Sequence, residues 1–213
     1  MEKRRAIIML GFPASGKGTQ AEILAKRIGA KILGIGELVR EEMKNGDQNS
    51  ERVKTIKELY DKGEPQKDEV VEELIENAVS KTSGDLIFDN YPFSENQIRF
   101  FESVIKKYNF NKPIIIYIDI DPESSVKRIS KRLVCENCKK IFMTGNLGDR
   151  CDQCGGRLAQ RPDDKPEIMR ERVFHAKPRI DLVMKHFKNE GNVYRIDGEK
   201  TIPEVAKQIE GVI

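Results

Sequence analysis

Uninterrupted runs of apolar residues recur along the chain and predict strands that are buried on both faces. The first run covers residues 5–11 and ends at a glycine, and two more cover residues 85–89 and 113–119. Runs of this kind are typical of a parallel sheet that helices cover on both sides. Weaker runs at residues 31–33 and 192–196 predict two further strands.

Between these runs, apolar residues return at helical spacing. In the first such stretch Ala21, Leu24, Ala25 and Ile28 share one helical face, and a glycine follows. Helices are predicted at residues 20–28, 37–45, 50–62, 67–81, 95–107, 122–132, 166–188 and 202–212. Strands that alternate with helices favour an α/β fold with a parallel sheet and right-handed crossovers.

Two stretches interrupt this alternation and divide the chain into three regions. From residue 35 to 64 helix follows helix, which predicts a helical insertion after the second strand. Residues 133–160 are rich in Cys, Gly, Lys and Asp, show no long period, and form a second insertion too small to bury a core unaided. The remaining residues, 1–34, 65–132 and 161–213, form the predicted α/β core.

Composition and charge exclude several classes of protein. None of the apolar runs approaches the roughly 20 residues that span a bilayer, and the run at residues 6–10 is too short for the core of a signal peptide. The chain has 213 residues, of which 38 are basic and 35 acidic, so its net charge of +3 gives little reason to expect a nucleic-acid partner. We therefore expect a cytoplasmic protein with neither a membrane nor a nucleic-acid partner.

A glycine-rich turn joins the first predicted strand to the first predicted helix. It has the Gly-x4-Gly-Lys spacing of a phosphate-binding loop, in which backbone N–H groups and a helix N-terminus surround phosphate oxygens. Lys17 would bring a full positive charge to the β- and γ-phosphates, and a nearby hydroxyl would reach Mg²⁺. The alternative is an ordinary strand-to-helix turn. The predicted ATP-binding residues of the loop are Gly11, Pro13, Ala14, Ser15, Gly16, Lys17, Gly18 and Thr19.

The four cysteines form two Cys-x-x-Cys pairs, Cys135 with Cys138 and Cys151 with Cys154. Paired thiolates at this spacing are typical of a tetrahedral Zn²⁺ site, and disulfides or free buried thiols are the alternatives. Four protein ligands leave no position open for water or substrate, so we expect a structural zinc.

The glycine-rich turn, continued by Gln20, is similar to the Gly-x-Pro-Gly-x-Gly-Lys-Gly-Thr-Gln signature of adenylate kinases and related nucleoside monophosphate kinases. That family also has glycine at the position of Gly18. Further segments resemble the family's motifs in the same order: Gly36 to Arg40, Asp89-Asn90-Tyr91-Pro92 with Gln97, Arg128 and Arg132, Gln160 to Asp164, Arg170-Glu171-Arg172, and Ile196-Asp197-Gly198.

The resemblance implies a P-loop phosphotransferase that moves the terminal phosphate of Mg-ATP to AMP, or to another nucleoside monophosphate, and gives two diphosphates. It implies that Lys17, Arg132, Arg161 and Arg172 act in catalysis, that Arg128 and Arg132 also bind ATP, and that Asp89 holds Mg²⁺ through water. The implied monophosphate site consists of Ile35, Gly36, Arg40, Asn90, Gln97, Arg161 and Arg172. Residues 35–64 would then be the monophosphate-binding insertion, and residues 133–160 a zinc-binding lid that closes over ATP and excludes water.

The chain departs from the family pattern on the acceptor side. Phe93 stands where the family has an arginine that helps to hold the acceptor phosphate, Ile35 replaces a threonine, and Asn90 replaces a glycine. These changes predict relaxed specificity for the acceptor base. Besides adenylate kinase, they leave open a UMP/CMP-type or broad-specificity kinase and an ATP-binding sensor with weakened catalysis. Basic residues beside the cysteines raise a third alternative, a zinc-ribbon nucleic-acid binder, which the single neighbouring aromatic residue Phe142 and the near-neutral chain disfavour.

Overall fold

A computed structural model describes residues 3–62, 64–160, 164–190 and 192–213. The elements, in chain order, are β1 (Ala6–Gly11), α1 (Lys17–Ile28), β2 (Lys31–Gly34), α2 (Ile35–Asn45), α3 (Glu51–Asp61), α4 (Asp68–Ser80), β3 (Leu86–Asp89), α5 (Glu95–Lys107), β4 (Ile114–Asp119), α6 (Pro122–Lys131), β5 (Leu133–Cys135), β6 (Ile141–Phe142), β7 (Leu158–Ala159), α7 (Pro166–Phe187), β8 (Val193–Asp197) and α8 (Ile202–Glu210). A single 3₁₀ turn, Lys188–Glu190, extends α7.

Five of the strands form one sheet in the order β2-β3-β1-β4-β8, and every pairing in it is parallel. The strand β1 lies at its centre, and all six of its residues are buried. Met9 pairs with Asp89, and Gly11 pairs with Ile118, so the carboxyl ends of β1, β3 and β4 meet at one edge. In parallel α/β sheets ligands bind at this edge, near the strand where the order of connection reverses.

The side chains of β1 alternate between two hydrophobic clusters because successive residues of a strand point to opposite faces. Ile8 and Leu10 pack in a cluster with residues of α4, α5 and the C-terminal half of α7. Ile7 and Met9 pack on the other face against α1 and α8. Burial on both faces explains why this strand is an unbroken apolar run in the sequence.

The two insertions lie outside this sheet, as predicted. Helices α2 and α3 follow β2 directly and share a small cluster of Val39, Ile56 and Leu74 with α4. Strands β5, β6 and β7 form a separate antiparallel sheet, and Leu133, Cys135, Cys151 and Leu158 form a small buried cluster in this region. The α/β fold class with a helical insertion and a small cysteine-bearing lid is therefore confirmed.

Most predicted boundaries agree with the structure to within one or two residues, and α5 agrees at both ends. The helix α1 begins at Lys17, three residues earlier than predicted, because its first turn includes Gly18 of the glycine-rich turn. The strands of the lid were missed, since runs of two or three residues carry no readable period. Within the described residues, none of the helices combines the length and the apolar character needed to cross a membrane.

Candidate active site

The glycine-rich turn between β1 and α1 forms a tight loop at the carboxyl edge of the sheet. The backbone N–H of Ser15 donates to the carbonyl of Phe12 at 3.1 Å, and Gly16 has a φ of 93°, in the left-handed region that favours glycine. A Cβ on Gly11 would lie 2.9 Å from the carbonyl oxygen of Ile118, so only glycine fits there. The helix α1 has no side-chain cap and no acidic residue in its first turn, which leaves its N-terminal N–H groups and positive dipole end for an anion.

Lys17 occupies the first position of α1, and its Nζ donates to the carbonyl of Phe12 at 3.4 Å. Burial lowers the pKa of this amine, the carboxylate of Asp89 opposes the shift, and the charges of Arg172 and Arg132 lower the pKa further. Four charged groups from separate stretches of the chain therefore act on one another at this loop. A site in which cations already repel each other is poised to bind a polyanion such as a nucleotide phosphate chain.

Three unpaired polar atoms lie in the segments that follow β1 and end β3. Within the described residues, Asp89 Oδ1, Asn90 Oδ1 and Ser15 Oγ are buried without a hydrogen-bond partner. Buried oxygens that lack protein partners are uncommon and point to a ligand or a hydrated cation. The Asp89 carboxylate ends β3 beside Met9 and Gly34, and an oxygen of this kind suits Mg²⁺ held through water.

Arg128 joins the phosphate loop to the turn that follows β8. Its guanidinium donates to the carbonyl of Gly198 at 2.8 Å, to Glu199 Oε2 at 3.1 Å and to the carbonyl of Ser15 at 3.5 Å. The side chain is half-buried, and these contacts hold it between the phosphate loop and the turn that follows β8.

Arg132 forms a buried ion pair with Asp164, a partner that the sequence did not reveal. The Arg132 Nε donates to Asp164 Oδ2 at 2.9 Å, and its Nη2 donates to Oδ1. The pair joins the two ends of the lid, because Arg132 immediately precedes β5 and Asp164 lies two residues before α7. Arg161, the predicted third catalytic arginine, lies outside the described residues, and Arg172 reaches the same region from α7.

The predicted monophosphate residues at the start of α2 lie at the same edge of the sheet. Ile35 is half-buried and packs against the main core, and Gly36 begins the exposed face of the helix. A Cβ on Gly36 would lie 3.2 Å from Arg40 Nη1, so the arginine folds back over this glycine. Among the described residues Arg40 has no carboxylate partner, which leaves its guanidinium for an anion.

Asn90 and Gln97 lie on the segment between β3 and α5. Asn90 has a φ of 61°, and asparagine tolerates this left-handed conformation better than most residues, which accounts for its replacing the family's glycine. Gln97 accepts the N–H of Phe93 at 2.9 Å and donates to Asp68 Oδ1 at 2.7 Å. The glutamine predicted to contact the acceptor base is thus engaged by the protein at both ends of its amide.

The four cysteines converge in the lid. Their sulfur atoms all lie within 4.8 Å of one another, with Cys135 and Cys154 at 3.4 Å and Cys138 and Cys151 at 3.6 Å. A tetrahedral Zn²⁺ site with bonds of about 2.3 Å has sulfur–sulfur edges of about 3.8 Å, so the cluster has the dimensions of a metal site. Burial raises the pKa of Cys135, but N–H donors from Cys138 and Asn137 outweigh it and bring the pKa down to about 6.

Phe93 has a neighbour that the sequence did not indicate. The guanidinium carbon of Arg179, on α7, lies 5.9 Å from the centre of the Phe93 ring. The sequence shows only that Arg179 follows Arg172 by seven residues, with Pro178 between them, and this spacing does not point to Phe93.

Comparisons with known proteins agree with this arrangement. The sequence model of the family described as adenylate kinase matches residues 9–192. The adenylate kinase of Archaeoglobus fulgidus is 33% identical over 213 residues, which cover 97% of each chain. The adenylate kinase of Petrotoga mobilis is 30% identical over 211 residues, which cover 97% of this chain and 96% of that protein. The phosphate loop, the parallel sheet and these matches along nearly the full length show that the chain belongs to the adenylate kinase family.

Proposed function

We propose that this protein is an adenylate kinase that reversibly transfers the terminal phosphate of Mg-ATP to AMP and releases two molecules of ADP. The main support is the electrostatic coupling of Lys17 with Asp89, Arg132 and Arg172, which come from four separate stretches of the chain. Phosphoryl transfer requires little covalent help from a protein, but it requires two polyanions held in line and their charge neutralised.

On the donor side, the N–H groups of the phosphate loop and the first turn of α1 would hold the β- and γ-phosphates. Lys17 would act as a point charge between them, and Arg128 would lie beside the adenine of ATP. Asp89 and the hydroxyl of Thr19 would hold Mg²⁺, whose charge offsets the charge of the phosphate oxygens.

On the acceptor side, Arg40, Arg161 and Arg172 would hold the phosphate of AMP in line with the γ-phosphorus. An oxygen of AMP then attacks that phosphorus, and the bond to the β–γ bridging oxygen breaks. The electron pair of the broken bond stays on the terminal oxygen of the departing ADP, so no proton transfer by a protein base is needed.

We propose that the lid, residues 133–160, binds a structural Zn²⁺ through Cys135, Cys138, Cys151 and Cys154. The sulfur spacing supports this proposal, and so does Gly156, where a Cβ would come within 2.8 Å of Cys135 Sγ. The lid would close over ATP and keep water from the γ-phosphate. Residues 35–64 would close over the monophosphate, and residues 1–34, 65–132 and 161–213 would form the core.

Relaxed choice of acceptor is a second part of the proposal. Gln97 uses both ends of its amide on protein groups, so it is not prearranged to read one base. The apolar Ile35 adds no hydrogen bond of its own to an acceptor base. A broad-specificity or UMP/CMP-type kinase is therefore the alternative that the acceptor side favours.

Product analysis tests the proposal. The protein is incubated with Mg-ATP and, in turn, AMP, CMP, UMP and GMP, and the diphosphates are separated and quantified. We expect ADP from AMP at the highest rate, and measurable diphosphate from at least one other acceptor. Failure to form any diphosphate would refute the kinase assignment and favour an ATP-binding sensor.

A lysine variant tests the donor site. Lys17→Met removes the point charge and should lower turnover by about 10²–10³-fold or more, because a preorganised charge contact in the transition state is lost. The matched control is Lys26→Met, an exposed lysine on the same helix, which should retain wild-type turnover. Near-normal transfer by the Lys17 variant would show that the donor phosphates bind elsewhere.

A further inference from the structure

We propose that Arg179 supplies the acceptor-phosphate contact that is lost through the presence of Phe93. This inference rests on the proposed kinase function and names one further residue of its acceptor site. Arg179 is exposed on α7, and within the described part of the chain its only recorded interaction is the contact with the Phe93 ring at 5.9 Å. A guanidinium without a carboxylate partner at the edge of a phosphate site is available to an anionic ligand.

The position of Arg179 along α7 directs it to the acceptor side. It follows Arg172 by seven residues, close to two turns of a regular helix, and Pro178 lies inside α7 between them. The charge of Arg172 acts on Lys17, so this part of α7 lies near the phosphate loop. Further along α7, Arg179 contacts Phe93, in the segment that follows β3.

The surroundings of Phe93 identify that segment as part of the acceptor region. Phe93, like Ile35 and Leu38 at the start of α2, packs against the main core. Its N–H donates to Gln97, the glutamine predicted to meet the acceptor base. Arg179 therefore reaches, from α7, the segment that carries Phe93 and Gln97.

Contact with the ring would also order the arginine. A guanidinium that lies over an aromatic face keeps its edge N–H groups free, and these can bind two phosphate oxygens in a fork. Other cations of α7 are engaged differently: Lys177 Nζ lies 3.1 Å from Asp181, and Arg170 Nη2 lies 3.8 Å from Glu123. Lys177 therefore offers a matched exposed position on the same helix for a control variant.

Steady-state kinetics with each substrate varied in turn tests the inference. Arg179→Met should raise the KM for AMP about 10-fold or more, in line with the loss of a charged hydrogen bond, and leave the KM for ATP within about twofold. The KM for AMP of Arg179→Lys should lie between those of Arg179→Met and the wild type. The matched control, Lys177→Met, should leave both constants unchanged. An unchanged KM for AMP in Arg179→Met would overturn the inference.

Calorimetric binding separates a phosphate contact from a structural effect. Arg179→Met should weaken the binding of AMP about 10-fold and leave the binding of adenosine, which lacks the phosphate, unchanged. Equal weakening of both ligands would mean that the arginine only shapes the pocket, which refutes the proposed contact. The failure of the kinase proposal is distinct, because it would appear as absence of diphosphate formation by the wild-type protein itself.

Discussion

Removal of Asp164 should destabilise the protein strongly, because the residue neutralises a buried arginine. The side chain of Asp164 is fully buried, and that of its partner Arg132 is only 10% exposed. In Asp164→Ala the guanidinium keeps its charge but loses both of its hydrogen bonds to the carboxylate. Breaking one side of a buried ion pair costs about 3–5 kcal/mol. A chain of this size loses about 2–4 °C of Tm per kcal/mol, so we expect a fall of about 6–20 °C.

Urea unfolding followed by circular dichroism, together with calorimetric melting, measures this loss. The control is Asp152→Ala, which removes an aspartate from the exposed pair with Lys140 in the same lid and should cost less than about 1 kcal/mol. The double variant Arg132→Met/Asp164→Leu should be more stable than Asp164→Ala, because no unpaired charge remains buried. A loss below about 1 kcal/mol for Asp164→Ala would refute the reasoning, since it would mean that water reaches the guanidinium.

Three further outcomes follow from the site. Lys17→Met should raise the Tm of the nucleotide-free protein at neutral pH, because burial lowers the pKa of the lysine in the folded state. The destabilisation by the buried charge is fully present below the folded-state pKa and disappears as the pH approaches 10.5, the pKa of an exposed lysine. A gain in Tm that persists above that pH would contradict this. Metal chelation should expose four reactive thiols and unfold the lid while the parallel sheet stays folded. Thiol titration measures the first effect and circular dichroism the second. Thiols that stay unreactive after chelation would count against a metal site. Gly156→Ala should weaken metal retention, because the new methyl group lies 2.8 Å from Cys135 Sγ, and equal retention in a competition with a chelator would refute this.

Features that are local in the sequence could be predicted well. The strand β1 is buried on both faces, so its apolar run is unbroken and its limits are clear. The helix α5 starts after Ser94, whose hydroxyl accepts the N–H of Gln97, and this cap is a residue type that the sequence shows. The phosphate loop and the cysteine pairs are likewise defined by short spacings in the sequence. In the structure the loop lies at the end of β1, and the four cysteines form one cluster with the dimensions of a metal site.

Features that depend on distant contacts could not be predicted. The spacing of residues gives no sign that Asp164 would pair with Arg132, or that Phe93 would lie beneath an arginine of α7. The hydrogen bond from Gln97 to Asp68 is also hidden, because it joins the starts of two helices that only the folded sheet brings together. In each case the partners lie far apart in the sequence and at least one of them is polar or charged, so their pairing is decided by the tertiary fold.

The composition of the lid core has a consequence for how the enzyme responds to its surroundings. Two of the four residues in its buried cluster, Cys135 and Cys151, are also proposed metal ligands, so packing and coordination depend on the same side chains. With zinc bound there, lid stability follows the logarithm of the free metal concentration, at about 1.4 kcal/mol for each tenfold change while the site is near saturation. The central sheet, whose clusters contain no ligand, is indifferent to that concentration. Zinc scarcity would thus unfold the segment that we propose to close over ATP before the rest of the molecule unfolds.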